Sequence, residues 1–269
     1  MKQNPVNKEG LLEQVIPVLV QAGKHLTSTS AGRHEQENKP GTANFVTETD
    51  YTVQTQVFSK LQRLTPYFGL MGEESSHQSC DFSKPTWILD PVDGTTNLMF
   101  QYKHSAISLA LYDQQQIVLA ATYNPYLDEM FTAVQGQGFF MNGQPAFCHS
   151  AQSLGQALVG FGTTPYDRNS SSQTFSIVKN MFEKTLDVRR SGSAVLDLAY
   201  VACGRLDAFF ELNLQPWDYA AGMLFVKEAG GQLTRCDGLP VSITTADSIL
   251  ASNKHLHPDL LQLILDAAV

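Results

Sequence analysis

The apolar pattern changes character part-way along the chain, and that change restricts the fold more than any single motif. Thr86–Asp90, Ser105–Tyr112, Ile117–Tyr123 and Glu129–Ala133 read as successive strands with no long helix between them. They lead into a hairpin around Gly136 to Gly143, where Asn142-Gly143 suits a tight turn. From residue 157 the pattern alternates: strand Ala157–Phe161, helix Ser172–Lys184, strand Leu186–Arg190, helix Ser193–Cys203, strand Asp207–Glu211, helix Asp218–Ala229, strand Ile249–Ser252 and a C-terminal helix. Strands in series followed by alternation imply stacked layers. The expectation is an α/β protein, an α+β layered sandwich with mixed sheets. It forms one domain over 1–269, with sub-regions of roughly 1–150 and 151–269 meeting near residues 145 to 155.

Two amphipathic helices precede the strands. Leu11, Leu12, Val15, Ile16, Leu19 and Ala22 recur at helical spacing over 9–26, and Val53, Val57, Leu61 and Leu64 do so over 50–64. Pro17 removes one backbone donor from the first and predicts a kink. Residues 27–44 lack Leu, Ile, Val, Met, Phe, Tyr and Trp, so they bury too little to offset their ordering entropy and are expected to form a mobile flap or loop.

Charge narrows the function. There are 26 acidic and 18 basic side chains, a net −8, although only 16% of residues are charged against about 25% in an average domain. With no basic run longer than Arg189-Arg190, the chain lacks the clustered positive charge that nucleic acid or an anionic membrane demands. No stretch approaches the ~18 consecutive apolar residues of a membrane-spanning helix. The start Met1-Lys2-Gln3-Asn4-Pro5 does not read as a secretory leader, so a cytoplasmic protein is expected. Cys80, Cys148, Cys203 and Cys236 are too scattered for a zinc site or a disulfide framework and read as small core residues.

Three short acidic segments fall where strands end: Gly72-Glu73-Glu74-Ser75, Trp87 through Asn97 with Asp90-Pro91-Val92-Asp93 inside it, and Gln215-Pro216-Trp217-Asp218. In the second, Pro91 is expected to stop the strand and Asp93 to follow at a turn, so both carboxylates can face one point. Carboxylates so close repel and raise one another's pKa unless cations sit between them, and hard oxygen donors suit Mg²⁺. Gly94-Thr95-Thr96-Asn97 reads as the start of a short helix whose first N–H groups favour an anion. Taken singly, each segment argues little: D-P-x-D is a common turn, G-E-E-S a solvated one, and Asp218 an ordinary helix N-cap. Together they point to metal-bridged phosphate.

These segments, with Asn44-Phe45-Val46-Thr47-Glu48-Thr49-Asp50 and Trp217-Asp218 followed by Gly230-Gly231, resemble the inositol monophosphatase family of Mg²⁺-dependent, lithium-sensitive phosphatases over nearly the whole chain. The run Arg189-Arg190-Ser191-Gly192-Ser193-Ala194 through Phe209-Phe210-Glu211 resembles the bacterial branch in particular. The resemblance implies the αβαβα sugar-phosphatase fold, two to three Mg²⁺ ions and a homodimer. It implies that Glu73, Asp90 and the Val92 carbonyl hold one ion, that Asp90, Asp93 and Asp218 hold a second, and that Glu73 again serves a weaker third with Asp50 nearby. Gly94 and Thr95 would bind the phosphate, and Thr95 with Glu73 would orient the attacking water. Asp93, Ser193, Ala194, Glu211 and Asp218 would line the substrate pocket, and Lys39 would belong to a flap covering the metals.

Catalysis of this kind needs no nucleophilic Ser or Cys, and the seven histidines show no H-E-x-x-H spacing. His104, nearest the signature, reads as a surface or core residue. Leu98 and Met99 stand where the family commonly has an aromatic first, and Gln215 replaces a histidine of animal members, which weakens any transfer of animal substrate preference. Glu211 reads as a substrate contact or as an exposed strand-end carboxylate, and Arg189 and Arg190 as substrate contacts, subunit contacts or solvated surface. Inositol monophosphate is the leading substrate; histidinol phosphate, fructose bisphosphate, NADP and phosphoadenosine phosphate are alternatives. From another class comes a regulatory partner of the transcription machinery, since some bacterial relatives are implicated in antitermination.

Overall fold

The computed structural model describes residues 7–28, 36–38, 45–74 and 81–267. Helix α1 (Lys8–Ser28) runs unbroken through Pro17. Strands β1 (Gln36–Asn38) and β2 (Phe45–Thr47) pair antiparallel before α2 (Glu48–Leu64). Part of the expected flap is therefore strand, its backbone polar groups paired with β2. Lys39 and Cys80 lie outside the described residues.

A seven-stranded sheet follows: β3 (Gly69–Gly72), β4 (Thr86–Asp93), β5 (Ala106–Asp113), β6 (Gln116–Asn124), β7 (Glu129–Val134), β8 (Phe139–Met141) and β9 (Gln144–Pro145), hydrogen-bonded in that order. Only β3 and β4 are parallel. Helix α3 (Thr95–Met99) leaves the end of β4. Asn142 and Gly143, both at positive φ, make the tight turn between β8 and β9.

The second half supplies β10 (Leu158–Phe161), α4 (Ser171–Lys184), β11 (Asp187–Arg189), α5 (Ala194–Ala202), β12 (Ala208–Leu214), α6 (Pro216–Glu228), β13 (Gly231–Thr234), β14 (Asp247–Asn253) and α7 (His257–Asp266). Its five-stranded sheet has the order β11-β10-β12-β14-β13, parallel across the first three strands and antiparallel across the last three.

Strand alternation decides how the layers stack. Trp87 and Leu89 face α1 and α2, in a cluster with Val15, Leu19, Val53, Val57 and Leu61. Ile88 points the other way, into a cluster with Leu196, Leu198, Tyr219 and Phe225 from α5 and α6. Phe209 of β12 reaches that same central cluster, whereas its neighbour Phe210 packs outward with Ile177, Met181, Leu260 and Ile264 of α4 and α7. The result is α1α2, sheet, α5α6, sheet, α4α7: the expected αβαβα sandwich. Helices α5 and α6 are apolar on nearly every side, as helices wedged between two sheets must be.

Three expectations need correction. Pro91 does not end β4, which runs on to Asp93; the register shifts between Asp90 and Asp93, so the missing N–H falls in a bulge where no ladder bond is needed. Strands β3 and β13 are additional, four residues each and beginning with glycine. Asp218 is the third residue of α6 and not its cap: Gln215 is the N-cap, and its N–H donates to Asp218 Oδ2 at 2.7 Å. Among the described residues no helix is long and apolar enough to cross a membrane.

Two phenylalanines test the layer assignment. Phe225 is fully buried between the sheets and Phe175 on α4 is 58% exposed. Phe225→Ala is expected to lower the free energy of unfolding by about 3–5 kcal/mol and Phe175→Ala by less than about 0.5 kcal/mol, read from urea denaturation. Equal losses would refute the stacking.

Candidate active site

Both sheets and the helix pair between them end at one cavity. Its lining includes Glu73 after β3, Asp90, Val92 and Asp93 of β4, Gly94 and Thr95 at the start of α3, Ser193 and Ala194 at the start of α5, Glu211 of β12 and Asp218 of α6. The structure thus brings together every described site residue expected from sequence except Asp50. That carboxylate sits behind the wall: its Oδ1 is 3.1 Å from the Thr95 hydroxyl, and its Oδ2 accepts from the Thr47 N–H at 2.8 Å and from the Thr47 hydroxyl.

Local structure holds each group. Asp90 is 1% exposed and its Oδ1 accepts from the Val92 N–H at 3.0 Å across the bulge. Asp93 Oδ2 accepts from the Ser193 hydroxyl and from the Val195 N–H at 2.9 Å, which pins it to the first turn of α5, where the N–H groups have no helical partner. Gly94 has φ +87°, and a Cβ there would lie 3.0 Å from the His104 carbonyl oxygen, so only glycine makes this turn without strain. The Thr95 hydroxyl lies 3.1 Å from both Asp50 Oδ1 and the Val92 carbonyl oxygen. Asn97 donates to the His104 carbonyl at 2.7 Å and the Ser191 carbonyl at 3.1 Å, tying α3 to the loop before α5.

Electrostatically the cavity is overloaded. Burial first, then the charges of Glu73, Asp93, Asp218 and Asp50, push Asp90 well above the usual carboxylate range. Burial raises Asp93 to about 6 although Ser193 and Val195 pull the other way. Asp218 is raised by burial and by Asp93 and Glu73. Glu211 is 6% exposed, not a solvated strand end, and burial raises it to about 7 against the opposing pull of Thr164. Arg190 is the only basic residue among the described residues lining the cavity, and Arg189 pairs instead with Asp187.

Of the six carboxylates in the lining, Glu73, Asp90, Asp93 and Asp218, with the Val92 backbone carbonyl and no thiol or imidazole beside them, form a hard oxygen donor set suited to Mg²⁺. Among the described residues no three acidic, His or Cys side chains close on a single point, so the carboxylates share the cavity without yet converging. His104 is not in the lining; it packs edge-on against Tyr200 and burial lowers its pKa.

Sequence reasoning missed Phe161, Gly162, Pro165, Tyr166, Asp197 and Leu214, all of which line the cavity. The available signal was Gly162-Thr163-Thr164-Pro165, turn chemistry directly after a strand flanked by parallel neighbours, where ligands gather in open α/β sheets. Asp197 had no signal; inside an apolar helix it reads as one polar residue, and its raised pKa comes chiefly from burial.

A family model described as the inositol monophosphatase family matches residues 7–267. An inositol-1-monophosphatase of Caulobacter vibrioides is 38% identical over 229 residues, covering 84% of this chain and 90% of the relative. The Nus factor SuhB of Escherichia coli is 34% identical over 226 residues, 82% of this chain and 84% of that one. Among solved structures, the extragenic suppressor protein suhB of Bartonella henselae superposes with a TM-score of 0.89 at 32% identity, over 95% of this chain and 98% of its own. A match spanning nearly every residue, with relatives this similar over most of their length, leaves one assignment: the chain belongs to the inositol monophosphatase family and is a phosphomonoesterase of that kind.

Proposed function

We propose that this protein is a Mg²⁺-dependent, lithium-sensitive phosphatase of inositol monophosphate or a similar small polyol or sugar phosphate, acting in the cytoplasm as a homodimer. The observation that carries it is the gathering of Glu73, Asp90, Asp93 and Asp218 in one cavity beside Gly94 and Thr95. Lithium sensitivity, cytoplasmic location and dimerisation are drawn from the family. The raised pKa values of Asp90, Asp93 and Asp218 support a site made for cations, because repulsion among these acids is what bound cations relieve.

Glu73, Asp90 and the Val92 carbonyl would hold one Mg²⁺, and Asp90, Asp93 and Asp218 a second. Bound there, Mg²⁺ supplies a clamp on the attacking and departing oxygens of an in-line displacement and acidifies a water. The chain's own groups do the positioning. Thr95 commits its single proton to Asp50 or Val92, so its oxygen remains free to accept from the attacking water, with Glu73 as that water's second anchor. The Gly94 and Thr95 N–H groups take phosphate oxygens. Asp93, fixed by Ser193 and Val195, orients the alcohol part against Ser193, Ala194 and Glu211. Gln215 stays neutral at all pH, so the residue capping α6 adds no titration of its own.

A second reading, binding to transcription machinery, is favoured by the Escherichia coli relative's designation as a Nus factor. It would use the outer surface around Arg189, since Arg190 faces the cavity. Capture of transcription factors equally by wild type and Asp93→Asn, with no hydrolysis by either, would favour it.

With Mg²⁺ the protein is expected to release phosphate from inositol monophosphate, and excess chelator or Asp93→Asn to reduce the rate by at least about 100-fold. In the same assay millimolar lithium lowers the rate at saturating Mg²⁺. Release undiminished by chelator overturns the proposal.

Stability carries a second test. Acids raised in the folded state hold protons that the unfolded chain has lost, so the contribution of Asp93 and Glu211, present below about pH 4, is lost as pH climbs through about 6 and about 7. The chelated protein's urea midpoint should fall between pH 5 and 8, less steeply in Asp90→Asn. A midpoint that rises or stays level contradicts this.

A further inference from the structure

The segment after β10 has no part in the reading above, yet it closes around one of its carboxylates. Thr164 is 1% exposed and sits at φ +42°, left-handed backbone that a β-branched residue adopts only under strain. In that conformation its N–H donates to Glu211 Oε1 at 2.7 Å, and its hydroxyl lies 3.2 Å from the same oxygen. The hydroxyl is also 3.3 Å from the Asn213 carbonyl, which accepts from the Tyr166 hydroxyl at 3.0 Å. The segment is seated on the strand that carries Glu211, through the Gly162 N–H to the Phe210 carbonyl at 3.0 Å.

Gly162 meets the carboxylate's other oxygen. A Cβ placed there would fall 1.8 Å from Glu211 Oε2, closer than any two such atoms can come. One oxygen of Glu211 is therefore held by Thr164, and the other lies over a bare Cα. Gly162 and Glu211 both line the cavity. A tie with only a structural purpose needs no buried carboxylate, which is costly to desolvate, and no strained threonine to reach it.

We propose that Gly162 and Thr164 are positioning residues for substrate selection: they fix Glu211 in one orientation so that Oε2 accepts a hydroxyl from the alcohol part of the substrate. The enzyme then favours phosphomonoesters whose alcohol carries further hydroxyls over those whose leaving group has none. This rests on the phosphatase reading above and deepens it.

The test compares kcat/KM for inositol 1-phosphate with kcat/KM for p-nitrophenyl phosphate, whose leaving group has no hydroxyl beyond the ester oxygen. Gly162→Ala should lower the ratio of the two about tenfold, through KM for the polyol, and Thr164→Val, which keeps the N–H and loses the hydroxyl, about threefold. In a Glu211→Ala background the Gly162→Ala change should add less than about twofold, because both act through one carboxylate. Circular dichroism melts identify variants that fold, and Thr164→Val carries the test if Gly162→Ala does not. Unchanged ratios in folded variants, or a Gly162→Ala loss that simply multiplies with the Glu211→Ala loss, overturn the inference alone. A wild type that hydrolyses neither substrate overturns both this inference and the phosphatase reading.

Discussion

Mutual repulsion among buried carboxylates is the constraint around which this molecule is arranged. Burial is the first cause of the upward push on Asp90, Asp93 and Asp218; Glu73 adds to all three, Asp93 adds to Asp90 and Asp218, and Asp218 adds to Asp90. Left to relax, acids so placed would swing apart or take up protons. They are held instead by backbone: Asp93 by the first turn of α5, Asp218 by the N–H of Gln215, and Asp90 by the bulge that follows it. Each of these anchors is an N–H with no partner in a helix or ladder, so the fold spends its unsatisfied donors on the site.

The layering makes those anchors stiff. Helices α5 and α6 lie between two sheets, and Leu196, Leu198, Tyr219 and Phe225 are buried on both sides of that interface. A helix packed all round cannot shift its first turn without opening a core, and interiors are close-packed enough to resist that. Positions for Ser193, Val195 and Asp218 thus follow from apolar residues that never touch substrate. Catalysis that relies on positioning and electrostatics requires such support.

Much of this was legible in the sequence because its determinants are local. The apolar run Trp87-Ile88-Leu89 predicted a strand, and Gly94-Thr95-Thr96-Asn97 the start of a short helix; both are present, as β4 and α3. Pro91 misled because its effect depends on the partner strand: a missing N–H matters in a regular ladder and not in a bulge, and the bulge is set by pairing with β5. Strands β3 and β13 were too short and too rich in glycine to declare themselves, and exist through pairing with β4 and β14. Glu211 could be read as a candidate and not as a buried one, since its burial comes from residues 162–166, nearly fifty positions earlier. Contacts at that separation leave no periodicity behind.

The acids of this cavity are expected to keep protons until cations displace them. Isothermal titration of Mg²⁺ into the metal-free protein, repeated in buffers of different ionisation enthalpy, counts the protons released as the ion binds. Near pH 6, where Asp93 is half-titrated and Asp90 and Asp218 lie higher than usual, binding should release protons, and the number should shrink toward pH 8. Mg²⁺ binding with no proton release at pH 6, or no binding at all, would contradict it.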